Sequence, residues 1–291
     1  MLQRGGEMSI QLMVDGGADL PKGFIEKFNI KVIPLNIHFK EETYKASVDL
    51  TIEEFYNKMK DANDLPKTSA PSPNEFYEAF KQVDPNTPIL LLSLSKNISA
   101  TYQNANIGKD MLLEEEPSRQ IEIINTKTAS SGIALLLNEA IKLKMKQINY
   151  KDLVDQIKQY VEKTTTLFSL VTVDNLIKGG RLDKFRGAIA KTLNIKLLMK
   201  ASDEGEIGVT EKVRGEKKSI RRLIEQIGDY IETLEHKTIA LAHSNCEDKA
   251  KSIIESIKER YKPKETLMMD MGPLIATYAG EGGIVISFLE D

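Results

Sequence analysis

Apolar residues along the chain follow two spacings, and the alternation between them predicts an α/β protein. Short, largely apolar runs at 11–15, 89–95 and 121–125 predict buried strands, and 30–39 is a further β-rich segment. Between and after them, apolar residues return every three or four positions at 51–60, 74–83, 101–113, 131–146 and 151–163, the pattern of helices packed on a core. Strands and helices alternating in this way predict a parallel sheet covered by helices, and this first domain is expected over residues 8–163. A strand at 167–173 belongs to the second domain, expected over residues 164–291. There a helix is expected after Arg181, and the acidic, glycine-containing stretch 203–206 marks a hairpin turn between two short strands. The alternation resumes with helices at 217–234 and 247–261 and strands at 238–243, 266–271 and 284–289.

Open α/β sheets bind ligands beyond the carboxyl ends of their strands. Asp15, the segments 95–99 and 125–131, and His243 all stand at such ends, so hydroxyls and acids gather where a ligand would sit. The richest of these turns holds Ser99, Ala100, Thr101 and Tyr102, which enter a helix whose first N–H groups lack partners and carry partial positive charge. Its hydroxyls suit a carboxylate or phosphate, and they equally suit the capping of that helix. Thr68-Ser69-Ala70-Pro71-Ser72-Pro73 is predicted as a loop stiffened by two prolines, presenting its hydroxyls, with Ser72 or Asn74 capping the next helix.

The 291 residues, 41% hydrophobic and 29% charged, suffice for two domains with their own cores and exclude a disordered or fibrous chain. A net charge of −3 provides no general basic field for nucleic acid. No apolar run reaches the roughly 18 to 20 residues that span a bilayer, so no integral membrane segment is expected. Residues 1–7 read as a polar leader ahead of Met8 without the apolar core of a signal peptide, which makes the cytoplasm the expected location. Cys246 is the single cysteine and His38, His236 and His243 are scattered, so neither an internal disulfide nor a zinc site is expected.

Individual motifs each carry two readings. Asp15 in Asp15-Gly16-Gly17 stands where α/β phosphotransfer enzymes hold a nucleophile, but Gly17 occupies the place of their second acid, and a turn-fixing aspartate fits better. Gly280-Glu281-Gly282-Gly283 precedes a strand instead of opening a helix and has no phosphate-binding lysine, so it is not a P-loop. A nucleophile elbow of the Gly-x-Ser-x-Gly type, a His-Glu-x-x-His motif and a dinucleotide fingerprint are all absent. Gly179-Gly180-Arg181, with Lys178, Lys184 and Arg186, and the stretch 212–222 are cationic; each is either a solvated surface or a contact for an acidic partner or phosphoryl group.

Taken in order, Asp15 to Pro21, Thr68 to Pro73, Ser95 to Ala105, Ser131-Gly132, Gly179-Gly180-Arg181, Val213-Arg214-Gly215 and Gly272 to Gly283 resemble the DegV family of bacterial fatty-acid-binding proteins over residues 9–290. The resemblance implies two α/β domains enclosing one long-chain fatty acid in an apolar cleft or tunnel between them. It implies a carrier without catalysis or cofactor of its own, which presents the acid's carboxylate to a separate fatty acid kinase; the kinase makes an acyl-phosphate for phospholipid synthesis in Gram-positive bacteria. By motif, Thr68 and Ser99 would bind the carboxylate, and Arg181 and Arg214 would face the kinase. Tyr278 stands where the family usually has histidine, and would assist as a neutral hydrogen-bond donor. Gly16, Ala100 and Asn125-Thr126 also depart from the family's serine, glycine and Asp-Ser. The departures leave the alternative of a divergent carrier of another amphipathic acid, and the strand-end positions of Asp15 and Ser99 leave that of a small phosphotransferase or hydrolase using one of them, Ser99 with no visible base.

Overall fold

A computed structural model of the chain describes residues 10–62, 64–182 and 194–291. The polar leader, Lys184, Arg186 and the helix expected after Arg181 lie outside the described residues. The first half runs β1 (Gln11–Asp15), α1 (Phe24–Phe28), β2 (Lys31–Ile33), β3 (Asn36–Phe39), β4 (Glu42–Lys45), α2 (Ile52–Asp61), β5 (Lys67–Ser69), α3 (Pro73–Lys81), β6 (Ile89–Ser93), α4 (Thr101–Glu115), β7 (Ile121–Asn125), α5 (Ser131–Met145) and α6 (Tyr150–Glu162). The second half runs β8 (Thr164–Ser169), α7 (Asp174–Lys178), β9 (Ile195–Ala201), β10 (Ile207–Arg214), α8 (Glu216–Glu225), β11 (Thr238–His243), α9 (Glu247–Tyr261), β12 (Glu265–Asp270), α10 (Pro273–Ala279) and β13 (Ile284–Leu289).

Strands β2, β1, β6 and β7 form an all-parallel sheet in that order. β1 and β6 are buried at every position because both faces are covered, and alternate residues serve different layers. Met13, Ile89 and Leu91 pack with Phe76, Phe80, Ala105 and Leu112 of α3 and α4. Leu12, Val14, Leu90 and Leu92 point to the other face, where α5 lies. A small antiparallel sheet, β4-β3-β5, is built from the segments around 36–69. It corrects one expectation: Thr68 sits in a strand opposite Ile37, not in a free loop, and only the residues after Ser69 form the proline-stiffened turn. Ser72 caps α3, its hydroxyl accepting from the Glu75 N–H while the Glu75 carboxylate accepts from the Ser72 N–H.

The second sheet, ordered β10-β9-β8-β13-β11-β12, is mixed: only β11 and β12 pair in parallel. β13, the last strand, inserts between β8 and β11 and runs antiparallel to both. Strand β8 starts at Thr164, earlier than the apolar run suggested, because its threonines pair along β13. The helix expected over 217–234 stops at Glu225 and tightens into a 3₁₀ turn, Gln226–Asp229, where the Tyr261 hydroxyl accepts from the Gly228 N–H. Helix α10 immediately precedes Gly280-Glu281-Gly282-Gly283, with Pro273 in its first turn and Gly280 at its end.

Helix α5 joins the two halves. Its sequence is apolar around nearly the whole circumference, and every residue from Ser131 to Ala140 except Glu139 is buried. It packs on β1 and β6 of the parallel sheet and on β8, β11 and β13 of the mixed sheet. At its start a row of buried hydroxyls links the layers: Thr128 to Thr166 at 2.8 Å, Thr166 to Ser287 at 2.9 Å, and Ser287 to Ser131 at 2.9 Å. The approach leaves no room for a side chain at 132. A Cβ on Gly132 would overlap Thr128 Oγ1 and stand 2.8 Å from Thr166 Oγ1. Beside it, Asp19 is 3% exposed and accepts from Ser130 Oγ at 2.5 Å and from the Gly272 N–H at 2.7 Å, pinning the loop after β1 to the starts of α5 and α10. Burial pushes its carboxyl up to about 7.

Gly132→Ala is expected to lower the unfolding free energy by about 1–3 kcal/mol, because overpacking at this contact outweighs the helix propensity that alanine adds. An unchanged or higher urea midpoint would contradict the close-approach account. The Asp19 carboxyl is raised above its unfolded value of 3.8, so the folded protein keeps a proton that the unfolded chain releases. Its contribution is therefore most favourable at low pH and falls as pH rises from about 4 to about 7. Asp19→Asn, which mimics the protonated form, is expected to flatten the dependence of urea stability on pH across that window; parallel profiles for wild type and variant would refute the assignment.

Candidate functional site

A cavity with an empty volume of about 860 Å³, counted to its open mouth, lies among all three sheets. Leu35, Leu94 and Ile98 line it from the first half of the chain; Phe168, Leu170, Leu176, Ile207, Leu274 and Val285 line it from the second. Thr128, Ala129 and Ser130, immediately before α5, close it next to Thr166. Its wall is mainly aliphatic, the usual lining of a small-molecule site.

Polar groups converge on one part of this wall. Thr68, held by β5, meets Tyr278 of α10 with its hydroxyl 2.5 Å from the phenol oxygen. Ser99 lines the same cavity just before α4. Its hydroxyl accepts from the Thr101 N–H at 3.3 Å and lies 2.7 Å from Thr101 Oγ1, so it caps the helix and faces the cavity at once. Ala100, at the helix boundary, has no hydroxyl to do this. The loop that carries Ser99 is clasped by the tip between β9 and β10: Ser95 Oγ donates to the Gly205 carbonyl at 2.8 Å and Asn97 Nδ2 to the Glu204 carbonyl at 2.6 Å.

Arg181 also lines the cavity. Its guanidinium carbon stands 5.1 Å from the centre of the Tyr278 ring, Nε donates to the Ile98 carbonyl at 3.2 Å, and Nη1 donates to the Gly179 carbonyl at 2.6 Å. The Gly-Gly-Arg motif has a steric cause, since a Cβ on Gly179 would stand 2.5 Å from Tyr278 Cε1. Arg214 is different: it is exposed at the end of β10 and outside the cavity wall.

The remaining strand-end residues do not line the cavity. Asp15 is fully buried, and its carboxylate accepts from the Gly17 N–H, Ser93 Oγ and the Leu94 N–H at 2.9, 2.8 and 2.8 Å. Burial pushes it up to about 6, and these bonds give it the turn-fixing role. His243 is 3% exposed, with Nε2 3.6 Å from Asp270 and Nδ1 without a hydrogen bond among the described residues. Among the described residues, no group of three or more His, Cys, Asp and Glu is placed to hold a metal ion, and no helix is long and apolar enough to cross a membrane.

Thr128 and Ser130 lie in the segment 125–131 that its strand-end position marked, a run of small and hydroxyl residues that reads equally well as a helix entry, whereas Thr166, inside β8, carried no such signal. Ser130 adopts φ 58° and ψ −125°, and its side chain goes to Asp19.

A family model described as "Uncharacterised protein, DegV family" matches residues 9–291. A DegV domain-containing protein of Clostridium perfringens is 31% identical over 283 residues, covering 96% of this chain and 97% of the relative. Among solved structures, a DegV family protein from Ruminococcus gnavus refined with vaccenic acid superposes with a TM-score of 0.90 at 29% identity, covering 96% of this chain and 99% of its own. The Streptococcus pneumoniae fatty acid kinase B3 protein loaded with linoleic acid superposes with a TM-score of 0.86 at 27% identity, covering 98% and 100%. A match of this extent in sequence and in fold leaves no part of the described architecture unaccounted for: the chain belongs to the DegV family.

Proposed function

We propose that the protein carries one long-chain fatty acid, with the acyl chain in the aliphatic cavity and the carboxylate at Thr68, Ser99 and Tyr278, and presents that carboxylate to a separate fatty acid kinase. The observation that carries this reading is the convergence of three hydroxyls at one part of a cavity otherwise lined mainly by aliphatic side chains. Each methylene removed from water contributes about 0.8 kcal/mol, so an acyl chain gains most from such a wall. A carboxylate accepts hydrogen bonds only, and hydroxyls held by β5, the turn before α4 and α10 meet that need as donors. The vaccenic acid and linoleic acid of the two structural relatives support the same ligand class here.

The reading includes two units, residues 8–163 and 164–291, with the ligand between them. The parallel and the small sheet draw only on strands before 163 and the mixed sheet only on strands from Thr164 onward, in keeping with that division. Arg214, exposed near the mixed sheet's edge, is the residue we assign to the kinase contact. Chemistry on the acid then belongs to the partner. Asp15 is committed to backbone and Ser93 bonds, and Ser99 has neither a histidine nor a carboxylate on its hydroxyl among the described residues.

Delipidated protein is expected to gain about 2.7 kcal/mol of stability from a long-chain fatty acid at 100 times its dissociation constant. No shift in thermal midpoint with any saturated or unsaturated acid of this class would refute the carrier reading. Ser99→Ala is expected to weaken fatty-acid binding roughly tenfold, the scale of one hydrogen bond to a charged group. Arg214→Ala should bind the acid as wild type does yet slow its phosphorylation by the kinase; loss of lipid binding in that variant would contradict the separation of roles.

A further inference from the structure

Strand β9 pairs with β8 through Lys200, Met199 and Leu198, set against Leu167, Phe168 and Ser169. One further step of that register would put Ala201 opposite Thr166, but the ladder stops at Lys200, and Ala201 and Thr166 both line the cavity. The β9–β10 hairpin therefore leaves the sheet at Lys200, and the cavity wall runs along the parting. Beyond that point the tip closes on itself: the Ser202 N–H donates to the Glu206 carbonyl at 2.8 Å and the Gly205 N–H to the Ser202 carbonyl at 2.7 Å. Gly205 and Ile207, on the return side of the tip, line the cavity as well. β10 is the edge of the mixed sheet, so β9 is its one neighbouring strand among the described residues. Moving the tip would break no ladder with β8.

The tip reaches across to the first half of the chain. Buried Ser95 donates through Oγ to the Gly205 carbonyl at 2.8 Å, and its own carbonyl accepts from the N–H groups of Ile98 and Ser99, both at 3.2 Å. The same residue thus fixes the hairpin tip and the backbone of Ser99. Asn97, exposed on this loop, donates through Nδ2 to the Glu204 carbonyl at 2.6 Å. Gly205 permits the approach: its φ is 80°, and a Cβ there would overlap Ser95 Oγ and stand 2.8 Å from Lys127 Cα. A neutral hydrogen bond of this kind changes an equilibrium by roughly threefold to tenfold, which is small enough to break often in solution.

We propose that the β9–β10 tip is a strap beside the ligand cavity, and that Ser95 and Asn97 are positioning residues that latch it to the Ser99 loop and set how fast the ligand enters and leaves. The proposal rests on the carrier reading. The latch is closed whether the cavity is filled or empty and opens only during passage. A bond made in both end states and broken between them changes the two rates together and leaves their ratio, the Kd, where it was.

The test uses delipidated full-length protein and cis-parinaric acid, an 18-carbon fluorescent fatty acid, with association and dissociation followed by stopped-flow fluorescence. Asn97→Ala, a change at an exposed side chain, is expected to raise both rate constants by roughly threefold to tenfold, the scale of one hydrogen bond. Its Kd should stay within about twofold of wild type, and so should that of Ser95→Ala, with the same paired rise in rates. This paired rise separates a latch from a residue that merely supports the fold or the ligand, since weakened binding would raise dissociation alone. Wild-type rates in both variants overturn the proposal and leave the carrier reading standing. Faster dissociation with unchanged association in both also overturns it, because Ser95 and Asn97 would then only hold Ser99 in place. Wild type that fails to bind the probe overturns the carrier reading, and the strap falls with it.

Discussion

Helix α5 has almost no polar side to offer water, and the architecture follows from covering it. One face takes the parallel sheet, the other takes the mixed sheet, and the apolar residues from Ile133 to Ile141 are buried by both. Around its first turn the hydroxyls of Thr128, Thr166, Ser131 and Ser287 bond to one another, and Asp19 ties in Ser130 and the backbone of Gly272. The cavity borders the residues just before this helix, so elements far apart in sequence line one shared cavity.

That space is divided chemically between a long aliphatic wall and a compact polar cluster. The cluster contains hydroxyls, a phenol and one guanidinium, a set suited to recognising an anion. Two buried titratable groups at strand ends, Asp15 of the parallel sheet and His243 of the mixed sheet, are absent from the wall. Asp15 holds the first turn of the parallel sheet in shape through three accepted hydrogen bonds. Its elevated carboxyl reflects burial in that structural role.

Much of the fold was legible from periodicity. β1, β7, β11, β13 and α9 occupy the residues their patterns predict, because each is either a short apolar run bounded by polar residues or a helix with a regular apolar face. Periodicity failed where polar residues pair inside a sheet, as with the threonines that open β8, and where three-residue strands such as β5 are too short to show alternation. It also does not register strand direction, so the antiparallel insertion of β13 was invisible until long-range pairing was known. For the site, Thr68, Ser99 and Tyr278 were reached by resemblance of motif, and all three line one cavity. The resemblance placed Arg181 with the kinase-facing residues, and charge and neighbouring glycines do not reveal that its side chain also lines the cavity beside the Tyr278 ring.

The central claim is that this cavity holds a single long-chain acid. Native mass spectrometry of the purified protein, followed by denaturing extraction and identification of what is released, tests it most directly. One fatty acid per chain is the result this account predicts. A protein that emerges empty and stays empty after incubation with long-chain acids, or one that releases only a neutral lipid, would contradict it.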